Sequence, residues 1–270
     1  VFDWLADADA LRRQPYAVLG LRHPLALERQ PVELRPAGAY SLRGHSIGGF
    51  GSVTTNKLVA TLVGELFGLY VQAYPRYGSE KKGLPTTYYL TIAEEPIRQH
   101  AEVEQVDFVP LYDVAALRHG KPLLGLVDNG ALFIQTALTD PDAIWASIPI
   151  TPRAEILARG IAVWALDTAA LARSHAPQPD LEVRMQGIAL AGVFLRVSPF
   201  ATRAGLERGP LMEAVRARLG RFYGKRGGAV VDANLAVIAA AYDTAINVTE
   251  ALSAGLKPVV APVALLEAVR

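Results

Sequence analysis

The sequence predicts an α/β fold: a mainly parallel sheet flanked by helices in three layers, a helical C-terminal part and an extended N-terminal arm. Three observations predict it. From residue 38 onward, short apolar runs alternate with helix-period segments, the strand–helix–strand order that builds parallel sheets. Between Arg43 and Ile92 an alternating run stops at glycines and restarts as an apolar helix. From Met185 onward the spacing is helical. The domain is read as residues 38–270 and the arm as residues 1–37.

Taken in order, PYAVLGLRHPLALERQPVELRP carries too many prolines for a continuous helix or a central strand. Leu19, Leu21, Leu25 and Leu27 give this arm an apolar side that needs cover. GAYSLR reads as a strand ending at Arg43, GHSIGGFG (Gly44–Gly51) as a loop, and SVTTNKLVATLVGELFGL as a helix. YVQAY and TTYYLTI are strand runs around the loop PRYGSEKKGLP. Gln105–Tyr112 is a strand, and DVAALRHG a helical turn closed by Gly120. Leu123–Asp128 and Ala131–Thr136 read as two strands around a turn at Asn129 and Gly130. Asp140 and Pro141 open a helix, RAEILARG is helical, IAVWALD is a strand, and Asp167 or Thr168 caps the next helix. RMQGIALAGVFLRVSPF and GPLMEAVRARLGRFYG follow as helices, the second closed by Gly224. GAVVDANLAVIAAAYDTAINVTEAL reads as one long alanine-rich helix.

The totals bound the function. Half of the 270 residues are apolar and a fifth charged, as in globular proteins, and a net charge of +1 gives no field that selects nucleic acid or a membrane surface. With no cysteine, this chain holds no disulfide, no thiolate-bound iron–sulfur cluster and no cysteine-ligated zinc, which fits a reducing, cytoplasmic location. No apolar run reaches the roughly 18 to 20 residues of a membrane span. The first residues lack the pattern of a signal peptide, and they also lack methionine, so a trimmed subunit or a part of a longer polypeptide is expected.

A strand that ends in a glycine loop and restarts as a helix aims several backbone N–H groups at one place. The helix dipole then favours an anion there, phosphate above all. The loop is neither a P-loop, because Ser52 rather than a lysine follows Gly51, nor a full dinucleotide fingerprint, because Thr54 stands where the third glycine belongs. Phosphate binding and a purely structural turn both remain open on pattern alone. Arg43 to Leu90 also concentrates Arg43, Lys57, Arg76, Lys81 and Lys82 against Glu65 and Glu80. That loop is read either as countercharge to an anion or as a solvated basic loop. Arg216, Arg218, Arg221, Lys225 and Arg226 are read as structural, near a helix end where positive charge is favoured. His23, His45, His100, His119 and His175 lack metal-ligand spacing, and Asp128, Asp167 and Asp243 are isolated. No complete catalytic constellation is expected, and His45 alone of the histidines lies in the loop.

At GHSIGGFGSVTTNK (Gly44–Lys57) and YVQAYPRYGSEKKGLPTTYYLTIAEEPI (Tyr70–Ile97) the sequence resembles the gamma subunit, or equivalent internal domain, of the 2-oxoacid:ferredoxin oxidoreductases. VDNGALFIQTAL, IAVWALDTAALA and FYGKRGGAVVDANLAVIAAAYDTA extend the resemblance over about Gly38 to Glu250. It implies an enzyme that splits a 2-oxoacid on thiamine diphosphate, passes electrons through iron–sulfur clusters to an acceptor such as ferredoxin, and releases an acyl-CoA. Thiamine diphosphate, Mg and the clusters are expected on alpha, beta and ferredoxin-like partner subunits, and coenzyme A at this chain. Carried over by position, Gly44, His45, Ser46, Gly48, Gly49, Phe50, Gly51 and Ser52 would give donors to a pyrophosphate, and Lys81 and Lys82 countercharge. Many members carry Gly-Gln-Gly or Asp-Gly-Thr where this chain has Phe50-Gly51-Ser52, and the oxalate enzymes make no acyl-CoA. An architectural subunit without a ligand and an independent nucleotide-dependent enzyme are the competing expectations.

Overall fold

The computed structural model describes residues 33–47, 52–76, 85–176, 182–224 and 227–255. Its strands are β1 (Tyr40–Ile47), β2 (Tyr70–Arg76), β3 (Pro85–Ala93), β4 (Val106–Leu111), β5 (Leu126–Gln135), β6 (Ala162–Leu166) and β7 (Ile246–Asn247). Among the described residues they form one seven-stranded sheet in the order β2-β3-β1-β4-β5-β6-β7. β1, β4, β5 and β6 are parallel, and β2 points with them because both it and β1 pair antiparallel with β3. β7 runs antiparallel to β6. The sheet is thus mainly parallel, as expected, with reversed strands β3 and β7.

The helices are α1 (Ser52–Phe67), α2 (Ala116–His119), α3 (Pro141–Ser147), α4 (Ile150–Ala158), α5 (Thr168–His175), α6 (Glu182–Val197), α7 (Phe200–Arg203), α8 (Arg208–Tyr223), α9 (Gly228–Thr244) and α10 (Val248–Gly255). Strand alternation feeds two cores. Leu42, Tyr88, Phe108 and Phe133 meet α1, α6, α8 and α9 on one face. Tyr89, Val109, Leu132 and Val163 meet residues of α2, α3, α4 and α10 on the other. This is the three-layer arrangement. Tyr40, Phe67 and Phe194 gather around Phe200, with ring centroids 5.5 to 6.2 Å from it.

Local signals placed several ends. Asp140 accepts from the Ala143 N–H at 2.9 Å with Pro141 in the first turn, and Asp167 does the same for Ala170. Gly224 closes α8. α6 lies so close to α9 that a Cβ on Gly192 would sit 2.2 Å from the Ile238 carbonyl oxygen.

Three expectations need correction. β1 does not stop at Arg43; it runs to Ile47, because β3 pairs with it residue by residue, from Tyr40 opposite Ile92 to Ile47 opposite Pro85. Leu123–Asp128 and Ala131–Thr136 are not two strands around a turn. They belong to one strand, β5, with an irregularity at Asn129: its φ is 59°, its N–H donates to the Arg159 carbonyl, and the register to β4 jumps. The long C-terminal helix is broken at Ala245, where β7 joins the sheet and Asn247 caps α10 by accepting from the Glu250 N–H at 3.1 Å. Most of the expected arm lies outside the described residues.

Candidate functional site

β1 and β4 are neighbours that point the same way, but the chain leaves them on opposite faces. After β1 it enters α1, whose Leu58, Val59, Leu62 and Val63 pack in the first core. After β4 it enters α2, whose Leu117 packs in the second. Such a switch opens a crevice at the carboxyl ends of the two strands, the usual ligand position in open α/β sheets. At this end of the two strands the Tyr112 N–H donates to the His45 carbonyl at 3.2 Å. The end of β2 lies at the same edge, so both predicted loops depart from it.

Of the expected site residues, Gly44, His45 and Ser46 stand in β1 rather than in a loop, and Ser52 is the first residue of α1. Gly48, Gly49, Phe50, Gly51, Lys81 and Lys82 lie outside the described residues. Gly44 carries no side chain because the Tyr88 ring crosses it; a Cβ there would lie 1.9 Å from the ring. Its amide is also engaged. Pro75 in β2 has no N–H, so its pair with Tyr88 is one whose backbone groups point apart, which turns those of Tyr88 toward Gly44. His45, one residue on, faces β4 instead, as its bond from Tyr112 shows.

The His45 ring shares its face of the sheet with Arg43 and lies in a row with Thr87 and Leu111. Burial, and then the nearby Arg43 charge, push its pKa down to about 4. It is neutral at pH 7 and supplies no countercharge. Its Nε2 is buried with no partner among the described residues. Arg43 is itself occupied, donating through Nη2 to the carbonyls of Pro122, at 3.0 Å, and Leu124.

Pattern reasoning missed the polar groups beneath the crevice. Tyr88 is fully buried with an unpartnered hydroxyl, and burial raises its pKa. Burial pushes Tyr112 up to about 12, partly offset by its neighbour Thr55. Asn56 of α1 donates through Nδ2 to the Tyr89 carbonyl at 2.9 Å, tying the helix to β3. On the opposite face, Tyr74 stacks on Tyr89 with centroids 5.0 Å apart. Glu102 takes bonds there from Arg76 and the Tyr89 hydroxyl. Alternation in TTYYLTI could have put Tyr88 and Tyr89 on opposite faces; nothing local marks Glu102. The third basic cluster is structural where described: Arg216 pairs with Asp232 at 2.6 Å, and Arg218 donates to the Glu65 carbonyl at 3.1 Å. Asp128 pairs with Arg159 at 2.9 Å, and Asp243 takes two bonds from Arg208.

The sequence pattern that defines the pyruvate ferredoxin/flavodoxin oxidoreductases matches residues 41–244. The chain belongs to that family. A 244-residue alignment with the pyruvate-flavodoxin oxidoreductase of Nostoc is 25% identical and takes in 88% of this chain but 19% of that protein. The pyruvate/ketoisovalerate oxidoreductases common subunit gamma of Thermococcus litoralis is 32% identical over 103 residues, 38% of this chain and 55% of that subunit. The chain therefore spans about a fifth to about half of the length of these family members. Among solved structures, pyruvate oxidoreductase subunit PORC of Thermotoga maritima has the same fold, with TM-score 0.57, 21% identity, and 77% of this chain and 97% of that one covered. The 2-oxoglutarate:ferredoxin oxidoreductase of Magnetococcus marinus, solved with 2-oxoglutarate, coenzyme A and succinyl-CoA bound, matches with TM-score 0.51 and 17% identity, over 81% of this chain and 32% of that one.

Proposed function

We propose that this chain is the gamma component of a cytoplasmic 2-oxoacid:acceptor oxidoreductase that converts a 2-oxoacid and coenzyme A to an acyl-CoA and CO2. Its residues 38–270 form the gamma-type domain, and residues 1–37 are an arm for partner contact or packing. The observation that carries the reading is the switch between β1 and β4, whose connections leave on opposite faces, with the sixteen-residue helix α1 following β1, in a chain of this family. An N-terminus of that length presents unbonded N–H groups and a partial positive charge to a phosphate. Coenzyme A fits such a place through its pyrophosphate, and when bound it accepts the acyl group.

In this proposal the donors are the backbone of Gly48 to Ser52, with His45 and Ser46 leading into them. Gly44 contributes by admitting the Tyr88 ring beneath. Lys81 and Lys82 supply the charge that neutral His45 does not. Thiamine diphosphate with Mg and the iron–sulfur clusters sit on alpha, beta and ferredoxin-like partners; a chain without cysteine offers clusters no thiolate. Ferredoxin or a similar protein takes the electrons.

The test is calorimetric titration of coenzyme A into the complex purified anaerobically from its source, with native mass spectrometry of its subunits. Saturable binding is expected, weakened about tenfold or more by Lys81→Gln with Lys82→Gln, since a charged contact contributes about 1.5 to 3 kcal/mol. Co-purification without any coenzyme A binding would leave an architectural subunit.

A further inference from the structure

Arg76 closes β2 at the carboxyl edge, yet its guanidinium is drawn onto the flank of the sheet. Nη1 donates to both Glu102 carboxylate oxygens, at 2.6 and 2.9 Å, and the Tyr89 hydroxyl donates to the same carboxylate. Glu102 belongs to the connection between β3 and β4. That connection is fastened to β2 by side chains: Gln72 Nε2 donates to the Gln99 carbonyl at 2.9 Å, and the Val103 N–H donates to the Tyr74 hydroxyl at 3.1 Å. A cavity of about 400 Å³ lies between them, lined by Gln72, Tyr74, Pro75, Arg76, Gln99 and Glu102 among others.

The cluster is built to hold an anion: one guanidinium, one phenol braced by the Tyr74 ring, and the half-buried Arg43 charge close enough to favour a carboxylate. The anion present is the chain's own. The Arg76 and Glu102 side chains are 66% and 45% exposed, and solvent-exposed pairs of this kind are weak. Both bonds use Nη1, so the two-nitrogen fork with which arginine grips an oxyanion is not spent on Glu102. A phosphate carries more charge and accepts that fork. Arg76, Thr87 and His45 occupy one row across β2, β3 and β1, which puts the Arg76 and His45 backbones two strand spacings, or about 10 Å, apart.

We propose that Glu102 is an internal counter-ion that holds Arg76 aside until a phosphate of the ligand displaces it, and that Arg76 then joins the ligand at the carboxyl edge. The inference rests on the coenzyme A site proposed above. It assigns ligand binding to a residue on β2 and its restraint to a carboxylate on another connection.

Coenzyme A titration of the assembled complex tests it, using Glu102→Gln, Arg76→Gln and the double variant, with thermal unfolding of each as a check on folding. Glu102→Gln is expected to tighten binding about three- to tenfold and Arg76→Gln to weaken it by a similar factor, the range a weak exposed pair and a phosphate contact allow. With Arg76→Gln in place, Glu102→Gln should change nothing. Unchanged or weaker binding by Glu102→Gln would overturn the inference while leaving the coenzyme A site standing. No binding by the wild-type complex would remove the site itself, and the inference with it.

Discussion

The two helical layers hold the sheet in different ways. α1, α6, α8 and α9 are 16 or 17 residues long, and they close on one another where side chains are absent. Gly192 meets the Ile238 carbonyl, and Gly187 meets Thr55, whose Oγ1 would lie 1.9 Å from an added Cβ. α2, α3, α4 and α10 have 4 to 9 residues and touch the sheet through aliphatic side chains. Ile150 and Leu157, seven residues apart on α4, are 77% and 68% exposed. α1 therefore belongs to the closely packed layer, where Gly187 of α6 receives its Thr55 side chain, while the short-helix layer tolerates change at its outer surface.

Three measurements can break or sharpen this contrast. The largest effect is expected from Gly192→Val: its branched side chain meets backbone that cannot yield, so denaturant unfolding should report a loss of about 3 kcal/mol or more. An effect below about 1 kcal/mol would show that α6 and α9 slide apart freely.

Next comes His45, near the end of β1. Its folded pKa of about 4 lies below the unfolded value near 6.5, so the unfolded chain takes the proton first as pH falls. Stability is complete above pH 6.5 and declines toward pH 4. Between pH 7 and pH 5 the loss due to this residue is expected to be about 2 kcal/mol, and His45→Gln should flatten the stability profile by that amount. An equally steep profile in the variant would mean that His45 is solvated. The smallest effect belongs to the short-helix layer: Ile150→Ser and Leu157→Ser should each shift unfolding of the isolated chain by no more than about 0.5 kcal/mol.

What could be read in the sequence was whatever is decided locally. Asp140, Asp167 and Gly224 mark helix ends because a cap needs only its own turn. Strand–helix alternation gave the layers and the mainly parallel sheet. The misreadings occur where one residue type serves two ends. Gly44 looked like the start of a loop, but its missing side chain makes room for Tyr88, which is distant in sequence. Asn129-Gly130 looked like a turn, but Asn tolerates a left-handed backbone inside an irregular strand as well. Asn247 sits in an otherwise helical pattern and acts as a cap only because β6 offers an edge to pair with. The crevice itself was half legible: the glycine loop announced β1, while Tyr112, Asn56 and Glu102 reach the site through tertiary contacts.

Pro75 has a consequence at the level of the whole molecule. Among the described residues β2 is the rim of the sheet, with Tyr70 51% and Val71 38% exposed along it. A rim of that kind is a template on which another chain's strand can grow, the first step of self-association. Where its N–H would face outward, Pro75 has none, so any incoming strand loses its next backbone bond there, and the charge of Arg76 follows at once. The rim is interrupted before an added strand could run its full length.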